Sequence, residues 1–117
     1  MRVRFALLLI FLATIANAAP MEPSRVEVID GDTIRLDGET FRLVGFDTPE
    51  TYRARCPAER DLGNRAMIRL RQLVAEGELD LERARCACRP GTEGTQRSNH
   101  GRLCGVLKAR GRDVGLC

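Results

Sequence analysis

After residue 24 the chain alternates apolar and polar positions through three short runs, then changes to a three-and-four spacing. Arg25 to Ile29, Thr33 to Leu36 and Thr40 to Phe46 read as extended segments, separated by Asp30-Gly31-Asp32 and by Asp37-Gly38. Asp-Gly between two such runs is a strong hairpin signal, because both residues tolerate the positive φ of a tight turn. Alternate residues of a strand share a face. Phe41, Leu43 and Gly45 are therefore predicted to point one way, and Arg42, Val44 and Phe46 the other. Leu62, Ala66, Met67, Leu70, Leu73 and Val74 then recur at helical spacing, with Arg60, Arg65, Arg69 and Arg71 mostly off that stripe and Gly77 as a stop. Glu78 to Arg85 alternates again as a fourth strand, and Leu103 to Ala109 is the fifth candidate. Between these two, Arg89 to Ser98 reads as one long surface loop, since it holds two glycines and a proline.

The first residues carry a different pattern. Arg2 and Arg4 precede an apolar run, Phe5 to Ile15, which ends in Ala16-Asn17-Ala18. That order is the one of a secretory signal, with cleavage expected after Ala18. The run is short for a membrane span, and an uncleaved anchor is the alternative. Residues 1–18 are thus expected to be a signal peptide and 19–24 an N-terminal linker. The mature chain is expected to be periplasmic or secreted, off the membrane and monomeric.

Removing the signal leaves seventeen bases against sixteen acids, a net charge of about +1, which is no strongly basic surface. The distribution says more. From Ala19 to Glu50 there are three bases and eight acids; beyond Glu50 there are fourteen bases and eight acids. A polyanion that approached an acidic metal site would need such a basic flank. The remaining length suits one domain.

Candidate chemistry concentrates on the first hairpin. Asp32 heads the second strand and Asp47 leaves the third, so pairing across Asp37-Gly38 would set them side by side. Two adjacent carboxylates repel unless a cation lies between them. Oxygen-only ligands suit Ca²⁺ or Mg²⁺ better than zinc. Arg42, on the same hairpin, could neutralise a phosphate, and Asp30 reads as a turn or supporting residue. Together these are the parts that phosphodiester cleavage requires. Five cysteines (Cys56, Cys86, Cys88, Cys104 and Cys117) allow up to two disulfides with one thiol left over. Cys86 and Cys88 would face opposite ways on a continuing strand and should not pair with each other. A zinc site of Cys86, Cys88, Cys104 and His100 is the sharper alternative, although its spacing lacks the usual Cys-x₂₋₄-Cys pair.

The run Ile29-Asp30-Gly31-Asp32-Thr33, followed by Phe41-Arg42-Leu43 and Asp47-Thr48-Pro49-Glu50, resembles the staphylococcal nuclease (thermonuclease) family from about Arg25 to the last residue. The resemblance implies a mainly β domain over 25–117: an OB-fold-like five-stranded barrel with one helix between strands 3 and 4. It implies a Ca²⁺-dependent nuclease acting on DNA or RNA and leaving 3′-phosphate and 5′-hydroxyl ends. Asp32 and Asp47 would be Ca²⁺ ligands, with Thr48 adding its backbone carbonyl. Arg42 would contact the scissile phosphate, and Glu50 would act as general base or orient water. His100-Gly101-Arg102 matches the family's Tyr-Gly-Arg element, so Arg102 would be the second phosphate arginine and His100 a substrate-binding residue. Two departures stand out. Ser98-Asn99-His100 replaces the acidic and aromatic residues usual there. The chain also ends at Gly115-Leu116-Cys117, where the family continues with further helices. The expected domain is therefore incomplete at its C-terminus (a fragment, a frameshifted product or a shortened paralogue), with the C-terminal helices missing and marginal stability. The competing expectation is a non-catalytic or inactive truncated module that binds nucleic acid weakly or not at all.

Overall fold

The computed structural model describes residues 20–116, so the expected signal peptide 1–18 and Cys117 lie outside the described residues. Six strands and one α-helix follow in the order β1 (Val26–Asp30), β2 (Thr33–Leu36), β3 (Glu39–Leu43), α1 (Pro57–Ala75), β4 (Leu79–Ala84), β5 (Leu103–Ala109) and β6 (Arg112–Asp113). Among the described residues the protein is mainly β with one α-helix, which falls between strands 3 and 4 as expected.

The strands form a mixed sheet in the order β1-β2-β3-β5-β4, with β6 paired to β5. The β2–β3 hairpin turns at Asp37 and Gly38, both at positive φ, and pairs Thr33 with Arg42 and Ile34 with Phe41. β3 and β5 run parallel, Phe41 opposite Leu103 and Leu43 opposite Gly105, which requires the long crossover that α1 and β4 occupy. β4 returns antiparallel along the whole of β5, from Leu79 opposite Ala109 to Ala84 opposite Cys104. At the outer edges an isolated bridge joins Met21 to Leu79, its amide donating to the Leu79 carbonyl at 3.0 Å. The sheet is otherwise not closed between β1 and β4, where the sequence led us to expect a five-stranded barrel.

The core lies between the sheet and α1. Ile34, Phe41, Leu43, Leu79 and Leu107 from the strands meet Leu70, Leu73 and Val74 from the helix, with Val114 closing one side. Burying each such side chain contributes about 1.5–3 kcal/mol. α1 begins with Pro57 at its first position, where no amide hydrogen bond is lost. It stops at Gly77, whose φ of 83° lets its amide donate back to the Val74 carbonyl.

Three expectations need correction. β3 ends at Leu43 rather than Phe46, because Gly45 turns the chain at φ 97°. Phe46 consequently packs on the core instead of sharing a face with Arg42. Leu62, assigned to the apolar stripe of the helix, is 48% exposed. The early helix faces the 49–51 segment through Gly63, which lies on another side. The five expected strands become six, because Arg112–Asp113 adds β6 before a 3₁₀ turn at Val114–Leu116.

Candidate functional site

The β2–β3 register sets the site. Arg42 pairs with Thr33, so its side chain leaves the sheet beside residue 32, while Phe41 and Leu43 turn into the core. The Leu43 amide donates to the Asp32 carbonyl at 2.8 Å, which fixes the Asp30-Gly31-Asp32 turn against the end of β3. Asp32 and Thr33 are both buried.

From there one connected network runs across four of the seven predicted site residues. Arg102 Nη1 donates to Thr33 Oγ1 at 3.0 Å, and Thr33 Oγ1 donates to Asp32 Oδ1 at 3.1 Å. The other Asp32 oxygen lies 3.7 Å from Arg42 Nη1. Arg42 Nη2 donates to Asp47 Oδ1 in a short contact. Where the sequence suggested a cation between two carboxylates, the guanidinium of Arg42 takes that position. Arg42 is 29% exposed and Asp47 81% exposed, so the network is buried at Asp32 and opens to solvent at Asp47.

Arg102 reaches this network from a distant part of the chain. Its Nε donates to the Asn99 carbonyl at 2.8 Å, and the Asn99 side-chain amide approaches Cys104 Sγ at 3.5 Å. Cys104 is bonded to Cys86, so the segment that carries Arg102 is fixed covalently to the end of β4. That disulfide consumes two of the sulfurs that the zinc alternative needed, and the alternative falls. Among the described residues Cys56 and Cys88 are free thiols and one disulfide forms, within the two at most expected. No group of three or more His, Cys, Asp or Glu side chains that could hold a metal occurs among the described residues.

The remaining predicted residues divide. Thr48 and Glu50 sit on the segment leaving β3. The Thr48 side chain turns inward, and its hydroxyl is buried with no hydrogen-bond partner. Glu50 is exposed. His100 is not part of the network. It is exposed, at φ 54°, and lines a cleft of about 500 Å³ with Gly38, Glu39 and Thr40 at the turn end of the hairpin, sharing only Arg102 with the site. Of the groups expected to hold a hard cation, the Asp32 and Asp47 carboxylates both face the Arg42 guanidinium, and they offer oxygen donors of the kind Ca²⁺ takes.

Sequence reasoning missed the residues that hold the 47–51 segment in place. A Cβ at Gly31 would lie 2.7 Å from Thr48 Oγ1 and 2.9 Å from the Ala66 methyl. A Cβ at Gly63 would lie 2.7 Å from the Pro49 carbonyl oxygen and 2.8 Å from that of Glu50. Asp30 Oδ1 accepts from the Gly31 amide at 2.8 Å and from Thr51 Oγ1 at 3.2 Å. Asp30 thus supports the turn, as read, and also anchors the far end of the segment. Its short-range signal was the turn; the bond to Thr51 spans 21 residues and left none.

No protein-family model matches this chain, and no curated protein matches it.

Proposed function

We propose that the protein is a Ca²⁺-dependent nuclease that hydrolyses phosphodiester bonds of DNA or RNA, leaving 3′-phosphate and 5′-hydroxyl ends. The observation that carries this reading is the Arg102–Thr33–Asp32–Arg42–Asp47 network, which gathers two guanidiniums and two carboxylates at one end of the sheet. Asp32 and Asp47, with the Thr48 carbonyl, would hold Ca²⁺; when bound, the ion polarises a phosphate oxygen and offsets charge growing in the transition state. Arg42 donates to the phosphate through a planar fork that stays protonated. A phosphate arriving from solvent would replace the exposed Asp47 as the partner of Nη2, freeing Asp47 for the cation. Arg102, preset by the Asn99 carbonyl and Thr33, adds the second guanidinium. Glu50, exposed beside this cluster in sequence, would orient or deprotonate the attacking water.

The finer fold reading belongs to the same proposal. Strand order 1-2-3-5-4, the parallel β3–β5 pair and the Met21–Leu79 bridge between the outer edges all support an OB-fold-like barrel. The Cys86–Cys104 bond is consistent with an oxidising compartment and hence with export. No helix among the described residues is long and apolar enough to cross a membrane.

One observation favours a second reading. Arg42 is already neutralised by two carboxylates, as in a purely structural ion-pair cluster, which is what a non-catalytic module would keep. Nicking of supercoiled plasmid, with Ca²⁺ or with chelator, separates the two. The nuclease reading expects chelator-sensitive nicking that is lost in Arg42→Ala and Glu50→Ala. Nicking that ignores chelator, or that survives both substitutions, excludes it.

A further inference from the structure

The loop between β4 and β5 builds a second cleft that the proposed chemistry does not use. It encloses about 1060 Å³ and is lined by Cys88, Arg89, Thr92, Arg97, Ser98 and Asn99. That volume slightly exceeds the usual range for small-molecule sites, so there is room for more than a bare anion. Residues 85–102 contain four arginines and one glutamate. Among the described residues neither Arg89 nor Arg97 has a carboxylate within ion-pairing range. Ser98 is 3% exposed, and its hydroxyl has no hydrogen-bond partner. Two guanidiniums without a carboxylate partner in one cleft, above an unpaired buried hydroxyl, call for an anion from outside.

We infer that this cleft binds a second backbone phosphate of the same polynucleotide, away from the scissile one. The inference rests on the nuclease reading above and deepens it. Asn99 joins the two places: its carbonyl holds Arg102 in the network, while its residue forms part of the cleft wall. A strand lying across Arg102 would therefore meet the cleft next. Arg89 and Arg97 supply charge-assisted hydrogen bonds to the phosphate oxygens. This subsite carries no sequence information, as is usual for backbone contacts. Its effect is to lengthen the stretch of strand that is gripped.

The test uses the full chain with Glu50→Ala, so that Ca²⁺ can be present without consuming the strand, and a fluorescein-labelled single-stranded 12-mer. Adding Arg89→Gln and Arg97→Gln is expected to weaken binding by anisotropy roughly tenfold, and to flatten the slope of log K on log salt by about 0.7–1.4. Cys88 gives a second readout that leaves the arginines in place. Its alkylation by iodoacetamide should slow when the 12-mer binds, while that of exposed Cys56 stays constant, each followed by peptide mass spectrometry. A 12-mer that binds the parent chain with no change in the double variant and no protection of Cys88 overturns the subsite and leaves the nuclease reading standing. A parent chain that does not bind the 12-mer at all overturns both.

Discussion

Asp32, Arg42 and Asp47 lie on one hairpin and its exit, whereas Arg102 bonds a hydroxyl 69 residues earlier in the chain. The first half of the network is held by the turn and the β2–β3 register. Each of its charges is offset by a neighbour in the same hairpin. The second half depends on a parallel strand pair, the 3₁₀ turn at Asn99–Gly101 and a disulfide, and its flanking arginines face a cleft without carboxylate partners. Local structure thus fixes the acids and their arginine, while long-range structure delivers the added positive charge. The two halves should fail differently when perturbed.

The largest effect is expected from Arg42. Under the nuclease reading Arg42→Ala lowers kcat/KM for plasmid nicking by about 10²–10³, equivalent to about 2.7–4 kcal/mol, as for loss of one preorganised donor. Arg42→Lys should recover only part of this, because the ammonium keeps the charge and loses the fork. A lysine variant with full activity would reduce Arg42 to a point charge and blur the distinction between the halves.

Breaking the disulfide acts on the other half. The bond closes a loop of 18 residues, for which chain entropy suggests a stabilisation of about 3 kcal/mol. Cys86→Ser with Cys104→Ser should lower the urea midpoint correspondingly. Below that midpoint, the folded variant should lose affinity for the 12-mer because Arg102 and Asn99 are no longer tethered. An unchanged affinity in folded protein would show that the β3–β5 pairing alone positions Arg102.

This division also explains what could be read in the sequence. The hairpin was legible because Asp37-Gly38 sets a turn and the alternation around Phe41 and Leu43 sets the faces; both signals are local. The helix was legible from Leu70, Leu73 and Val74, although its exposed Leu62 and buried Gly63 reversed the hydropathy rule. Pairing of Cys86 with Cys104 was one of ten possible pairs among the five cysteines, and the β4–β5 register, with Ala84 opposite Cys104, brings Cys86 near it. His100 was placed by its neighbours in sequence, yet φ values of 48° and 54° at Asn99 and His100 carry it toward the hairpin turn. The strand count and the open edge depended on how far β1 and β4 extend towards each other. Pairing across sheet edges leaves little trace in composition.

A smaller perturbation probes how the hairpin exit is held. Gly63→Ala places a methyl group against the Pro49 and Glu50 carbonyl oxygens, and these are backbone atoms that yield reluctantly. Overpacking of this kind costs about 1–3 kcal/mol. The substitution should depress activity more than its loss of stability implies, since the segment that moves carries Asp47, Thr48 and Glu50. Ala66→Gly, which removes the methyl group facing Gly31, is the control that leaves those carbonyls untouched. Equal activity in folded Gly63→Ala and wild type would mean that the segment adapts freely.

The smallest effect concerns the opposite end of the same hairpin. Arg25 meets the turn residue Asp37 through both Nε and Nη2. Its hydrogen bond, aided by its charge and opposed by desolvation, holds the Asp37 carboxyl below the ordinary aspartate range. Because the folded state then releases its proton more readily than the unfolded state, the pair stabilises the fold fully above about pH 4. That contribution disappears as pH falls through the lowered folded value. Both side chains are more than half exposed, so screening keeps the effect slight. Arg25→Gln should show a small deficit in urea midpoint at pH 7 that closes towards pH 2 and also closes in 1 M salt. A deficit that persisted under both conditions would point to packing of the arginine stem, and would make this end of the hairpin depend on burial as the Asp32 end does.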